Sequence, residues 1–138
     1  MAIAYKIFPD VNLLVTRYSG QVTNAEFLET YAAIAGEQCR RSGMAELALL
    51  NDVLSIDLTL KTMRSVSQST ARQLPAEPMR TAVVSSKPMH QIMSRLYRSM
   101  AEMGGVETVR QFEDLTEALA WLDCSDFPPE RLEEVPRS

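Results

Sequence analysis

The sequence has little glycine, with 5 residues in 138. Phosphate-cradling loops are built on clustered glycines, so nucleotide-binding loops have little room here. Cysteine is scarcer still. Cys39 and Cys124 are the 2 in the chain, they form no CxxC pair, and no secretory context accompanies them. Two free thiols in a reducing compartment are expected, and the cytoplasm is the expected location. His90 is the 1 histidine, and no G-x-S-x-G segment occurs. A nucleophile normally comes with a base and an orienting third group, and the sequence announces neither. No run approaches the roughly 20 apolar residues that span a bilayer. The N-terminal segment MAIAYKIFPD has no basic head followed by an apolar stretch, so it does not read as a secretion signal.

What is present is an ordinary globular composition, 46% hydrophobic and 23% charged. At this length one domain is the simplest expectation, and it needs no metal or disulfide to hold a core. The net charge of −4 disfavours whole-protein nucleic-acid binding. The charge is uneven, however. Residues 58–110 carry 8 basic and 3 acidic groups, and residues 111–138 carry 2 basic and 8 acidic. A local basic face and an acidic tail follow.

Along the chain, residues 2–8 and 12–18 are apolar-rich and separated by Pro9-Asp10, which predicts an antiparallel hairpin ending at Ser19-Gly20. Thr23 and Glu26 have capping-box spacing. Behind them Phe27, Leu28, Tyr31, Ile34 and Ala35 recur at helical spacing, with Arg40 and Arg41 in the last turn and Gly43 as the stop. The run Leu47-Ala48-Leu49-Leu50 reads as a buried strand that stops at Asn51-Asp52. A short loop then leads to Asp57, which caps a helix over about 58–74 with Met63, Val66, Thr70 and Leu74 inward. Residues 80–84 read as a parallel-sheet strand. Pro88 opens a third helix with Met89, Ile92, Met93, Leu96, Tyr97, Met100 and Met103 at a spacing of three to four, closed by Gly104-Gly105. Residues 106–112 read as the last strand. Asp114 and Glu117 cap a fourth helix that buries Leu115, Ala118, Leu119, Trp121 and Leu122. Beyond Cys124, three prolines and four acidic residues predict an extended or partly disordered tail, strapped on by Phe127 and Leu132. The order β-β-α-β-α-β-α-β-α predicts an α/β domain over 1–123. It would have a mostly parallel five-stranded sheet, one antiparallel edge and helices on both faces.

This order resembles that of the STAS-like domains. The hairpin ending in Gly20, the central strand and loop of 47–57, the strand Ala82-Val83-Val84 and the closing Phe112…Glu117-Ala118-Leu119-Ala120-Trp121-Leu122 carry the likeness. The chain looks most like the stand-alone bacterial branch, grouped structurally with the lipid-binding CRAL-TRIO domains. The resemblance implies that function sits on the central loop and the helix after it. In the anti-sigma antagonists of the family, that loop carries Asp-Ser-Ser/Thr-Gly, and its first serine is phosphorylated. The matching stretch here is Asp57-Leu58-Thr59-Leu60. Leu58 stands at the phospho-serine position and Leu60 replaces the glycine, so the resemblance does not carry the switch over.

The candidate site residues are Asn51, Asp52, Asp57 and Thr59 in the loop, and Lys61, Arg64 and Arg72 with Gln68 on the second helix. Arg95 and Arg98 on the third complete them. Two carboxylates at a strand's carboxyl end can act as acid and base or hold a cation; turn chemistry and an N-cap explain them more simply. The basic residues fall at spacings of three and four and form a ridge if the helices are neighbours. Such a ridge steers toward an acidic protein or an anionic membrane surface, though a solvated helix face also fits. The expected function is a non-enzymatic module that recognises a protein partner through 51–60 and the following helix, with no cofactor. The alternative is a small carrier for an apolar or lipid-like ligand, suggested by the Met-rich helix and by the CRAL-TRIO kinship that the resemblance implies. Self-association is compatible with either.

Overall fold

The computed structural model describes residues 2–38, 43–73, 79–87 and 107–136, and their side chains except those of 67–73 and 107. The strands are β1 (Ile3–Phe8), β2 (Leu13–Thr23), β3 (Ala45–Asp57), β4 (Met79–Val84) and β5 (Glu107–Phe112). The helices are α1 (Asn24–Ala35), α2 (Leu60–Gln73) and α3 (Leu115–Trp121), followed by a 3-10 helix over Pro129–Glu134. The expected Met-rich helix with His90 and the Gly104-Gly105 stop lie outside the described residues, as does Cys39.

The strands form one sheet in the order β1-β2-β3-β4-β5. β1 pairs antiparallel with β2, and every other pair is parallel. Side chains alternate across a strand, so each strand serves two cores. Phe27, Val66 and Tyr31 from α1 and α2 pack with Ala48, Leu50 and Val83 on one face. Leu119 and Leu122 from α3 and the turn after it, and Phe127 and Leu132 from the tail, pack with Phe8, Leu47 and Val84 on the other. Both faces are covered, as expected for a sheet whose central strands are nearly continuous in apolar residues.

Several local expectations need correction. β2 does not end at Ser19-Gly20 but runs to Thr23, and β3 does not end at Leu50 but runs through the supposed loop to Asp57. The two extensions pair with each other, Ser19 with Asp52 through Thr23 with Asp57. Ladder bonds between them override the turn preference of Asn51-Asp52. α1 stops at Gly36, earlier than Gly43, and Arg40 and Arg41 lie outside the described residues. Thr23 caps α1 as its spacing predicts, its Oγ1 accepting from the Glu26 N–H at 3.3 Å. Glu26 Oε2, however, accepts from the Ala2 N–H at 2.6 Å, so this carboxylate ties the helix to the chain start. Asp114 caps α3 through the Thr116 N–H at 3.0 Å.

The tail is also a correction. It forms a 3-10 helix, and Phe127 and Leu132 strap it on as expected, with Val135 buried alongside them. Arg131 fastens it. Its guanidinium lies 4.8 Å over the Phe8 ring and donates to Asp10 Oδ2 at 2.7 Å. That hydrogen bond holds the Asp10 carboxyl below its ordinary range. Arg17 Nη2 donates to the Leu132 carbonyl at 2.7 Å. Cys124 is free and buried, and burial pushes its thiol up.

Candidate functional site

The site begins where β4 ends. β4 pairs with β3 only as far as Val84 opposite Leu49. Beyond that point, among the described residues, β3 pairs with β2 on one edge alone, as a two-stranded parallel ribbon. The register slips twice, between Arg17 and Ser19 and between Gly20 and Gln21 of β2. Each slip places one extra residue on β3, and the second extra residue is Leu54. Bulges re-aim side chains. Val53 on one side of it is buried at 1% exposure, whereas Leu54 is 77% exposed. Gly20, opposite Val53, has φ +63°, a left-handed conformation that glycine adopts without strain.

Asn51 sits at the branch point. Its Oδ1 accepts from the Ser86 N–H at 3.1 Å, closing the chain that leaves β4. Lys87 Nζ donates to the Val53 carbonyl at 3.4 Å. Asp52 and Asp57 are exposed, and Asp57 Oδ2 accepts weakly from Gln21 Nε2 at 3.5 Å. Asp57 is not the helix cap. Thr59 is: its Oγ1 accepts from the Thr62 N–H at 3.2 Å, and its own N–H donates to Asn24 Oδ1 at 3.0 Å. That second bond pins the start of α2 against the start of α1. Leu58 is half-buried against the core, while Leu60 is 50% exposed. Lys61 and Arg64 follow on the exposed side of α2.

The structure therefore brings Asn51, Asp52, Asp57, Thr59, Lys61 and Arg64 to the carboxyl end of β3 and the first turns of α2. The backbone of Arg72 lies further along α2, its side chain outside the described set. Arg95 and Arg98, and with them the second stripe of the basic ridge, lie outside the described residues. Among the described residues no three His, Cys, Asp or Glu side chains come together as a metal site. No helix among them is long and apolar enough to cross a membrane.

Sequence reasoning missed two features. The first is Leu54, whose exposure depends on a bulge. The second is a buried polar chain under α1. Glu46 is 5% exposed and its Oε2 accepts from Thr16 Oγ1 at 2.8 Å and Tyr31 Oη at 2.6 Å. Because the Tyr31 proton is spent on Glu46, the 2.5 Å contact between Tyr18 and Tyr31 has Tyr18 as donor. The available signal was one carboxylate inside the apolar run 45–50. Buried charge persists where hydrogen bonds satisfy it.

Comparison with known proteins fits this architecture. The family model described as SpoIIAA-like matches residues 13–123. A solved structure of an uncharacterised DUF3478-family protein with a SpoIIAA-like fold, from Shewanella loihica PV-4, superposes with TM-score 0.59. It is 16% identical, over 88% of this chain and 93% of that one. The anti-sigma factor antagonist SpoIIAA in its unphosphorylated form superposes with TM-score 0.53 at 10% identity, over 88% of this chain and 98% of that one. At these identities the structural likeness speaks for the fold alone. No curated protein matches the sequence.

Proposed function

The chain belongs to the SpoIIAA-like family, and on that premise we propose that it is a non-enzymatic regulatory module. It recognises a protein partner through residues 51–60 and the first turns of α2. The observation that carries this reading is Leu54, 77% exposed on a bulge of a strand whose first half is buried in the core and whose second half is held by its ladder with β2. A large apolar side chain held outward on rigid backbone costs solvation and loses little entropy when a partner covers it. Leu60, 50% exposed, presents a second large apolar side chain, at the start of α2. Asp52 and Asp57 on β3 and Lys61 and Arg64 on the first turns of α2 are exposed and supply charges of both signs, as the polar rim of a protein interface does. The partner reads shape and charge here rather than a phosphate: Leu58, at the position of the family's phospho-serine, has no hydroxyl and is half-buried in the core.

A photo-crosslinking residue placed at Leu54, and separately at the exposed Asp126 on the tail, tests the reading in cells. The expected result is one polypeptide crosslinked at fixed stoichiometry from position 54 and not from 126, with loss of that product in a Lys61→Glu, Arg64→Glu variant. Equal and heterogeneous products from both positions would overturn it. The Met-rich helix that suggests a carrier of apolar ligands lies outside the described residues, so the partner-binding reading is the one the described surface supports.

A further inference from the structure

The opposite edge of the sheet has no strand against it among the described residues. β1 is the terminal strand, and β2 covers only its inner side. The Ser19 N–H donates to the Ala2 carbonyl at 2.7 Å. In an antiparallel ladder, pairing then alternates, so Ala2, Ala4, Lys6 and Phe8 turn their backbone groups toward β2. Ile3, Tyr5 and Ile7 turn theirs outward. Natural edges of this kind are usually blunted by proline, bulges or several charges. β1 has none of these before Pro9 except Lys6, which lies over the Phe8 ring.

A groove of about 250 Å³ follows this edge, lined by Ile3, Ala4 and Tyr5 on the strand, by Glu26 and Glu29 on α1, and by Pro136 on the tail. Its floor is apolar and its α1 wall is acidic. The side chains of Ile3, Tyr5 and Ile7 lie on the α1 side of the sheet, since they pack into the clusters of that face. An added strand would send alternate side chains to the same wall, toward Glu26 and Glu29.

We propose that the outer edge of β1 is a second docking site, which takes an extended, basic segment of a protein partner as a sixth strand. Backbone bonds to Ile3, Tyr5 and Ile7 supply the affinity, and lysine or arginine at alternate positions meets the carboxylates of α1. Charge complementarity selects this occupant over a second copy of the chain. An antiparallel β1–β1 pair would put both α1 helices on one face and set like carboxylates near one another. The proposal does not depend on the recognition surface at 51–60, which lies at a different place on the sheet.

The test uses a fluorescent seven-residue peptide alternating lysine and valine, followed by anisotropy and by amide chemical-shift mapping on the full chain. Two further versions carry N-methyl groups on one or the other alternate set of amides. Binding is expected, with shifts confined to β1 and α1. One methylated version should lose binding and the other should stay within about twofold, because only one set of amides faces the edge. Glu29→Lys, an exposed change, should weaken binding about fivefold. Tyr5→Pro removes an outward N–H from an edge strand, where proline is tolerated, and should weaken it about tenfold. No binding, equal binding of both methylated peptides, or shifts centred on 51–64 would overturn the proposal. So would a chain dimer that Tyr5→Pro dissociates, since that would make the occupant a second copy.

Discussion

The two halves of β3 are one continuous strand with opposite environments. Residues 46–49 have β2 on one edge, β4 on the other and packed elements on both faces, and Leu47 is fully buried. Residues 51–57 keep β2 but lose β4, and Leu54 is 77% exposed. The first half secures the fold and the second half is carried out from it as a surface. Local rigidity in the second half comes from the ladder with β2 rather than from burial. A recognition element can thus be firm and exposed at once.

Truncation would break this comparison most directly. Leu47→Ala should lower unfolding stability by about 2–5 kcal/mol in urea denaturation, because it leaves a cavity where neighbours cannot collapse. Leu54→Ala should stay within about 0.5 kcal/mol of the parent, because its side chain has little packing to lose. Comparable losses at both positions would abolish the distinction. Next in size is Tyr31→Phe. It removes the hydroxyl that donates to the buried Glu46 and contacts the Tyr18 hydroxyl, and should cost about 1–3 kcal/mol. Gly20→Ala addresses the second half. A methyl group there meets nothing within 4 Å, so any loss comes from the left-handed backbone. About 1 kcal/mol is expected, measured by thermal melting, with faster amide exchange across 52–57 as the local signature. The smallest effect lies outside both halves. The Tyr5 hydroxyl donates to Glu37 at 2.6 Å, and this bond, with burial and the carboxylate charge, pushes its pKa up to about 12. A phenol whose folded pKa is raised contributes stability that is present below the unfolded value near 10 and lost as pH rises through the folded one. The stability difference between parent and Tyr5→Phe should therefore be constant at neutral pH and shrink between about pH 10 and 12. A difference that grows over that window would contradict the bond.

Much of this was legible in the chain. The spacing of Phe27, Tyr31 and Ile34, the alternation in the first hairpin and the apolar run of 47–50 gave α1, β1, β2 and the core of β3. Thr23 and Asp114 marked two helix starts correctly because a cap is a local hydrogen bond within three residues. Asn51-Asp52 misled because the same residues that favour turns also tolerate a ladder edge, and only the presence of β2 alongside decides which. The tail misled for a related reason. Its prolines are compatible with either an extended chain or a 3-10 turn, and Arg131 finds Asp10 only once the sheet is assembled.

For the candidate site, the sequence placed Asn51, Asp52, Asp57 and Thr59 near one another because they are close along the chain. It pointed to Asp57 as the cap, whereas Thr59 takes that place, held by a bond to Asn24 that spans two helices. By itself, then, the sequence determined the order of the described elements, the inward residues Phe27 and Ile34 of α1 and Met63 and Val66 of α2, and the absence of a hydroxyl at position 58, all properties of short-range period and residue type. Tertiary structure alone decided how far β2 and β3 run together, the bulge that turns Leu54 outward, the burial of Glu46 beneath two hydroxyls and the place of β1 at the end of the sheet, with no further strand against it among the described residues. Each of these depends on which backbone hydrogen-bond partners lie beside a residue, and those partners come from segments far away in the chain.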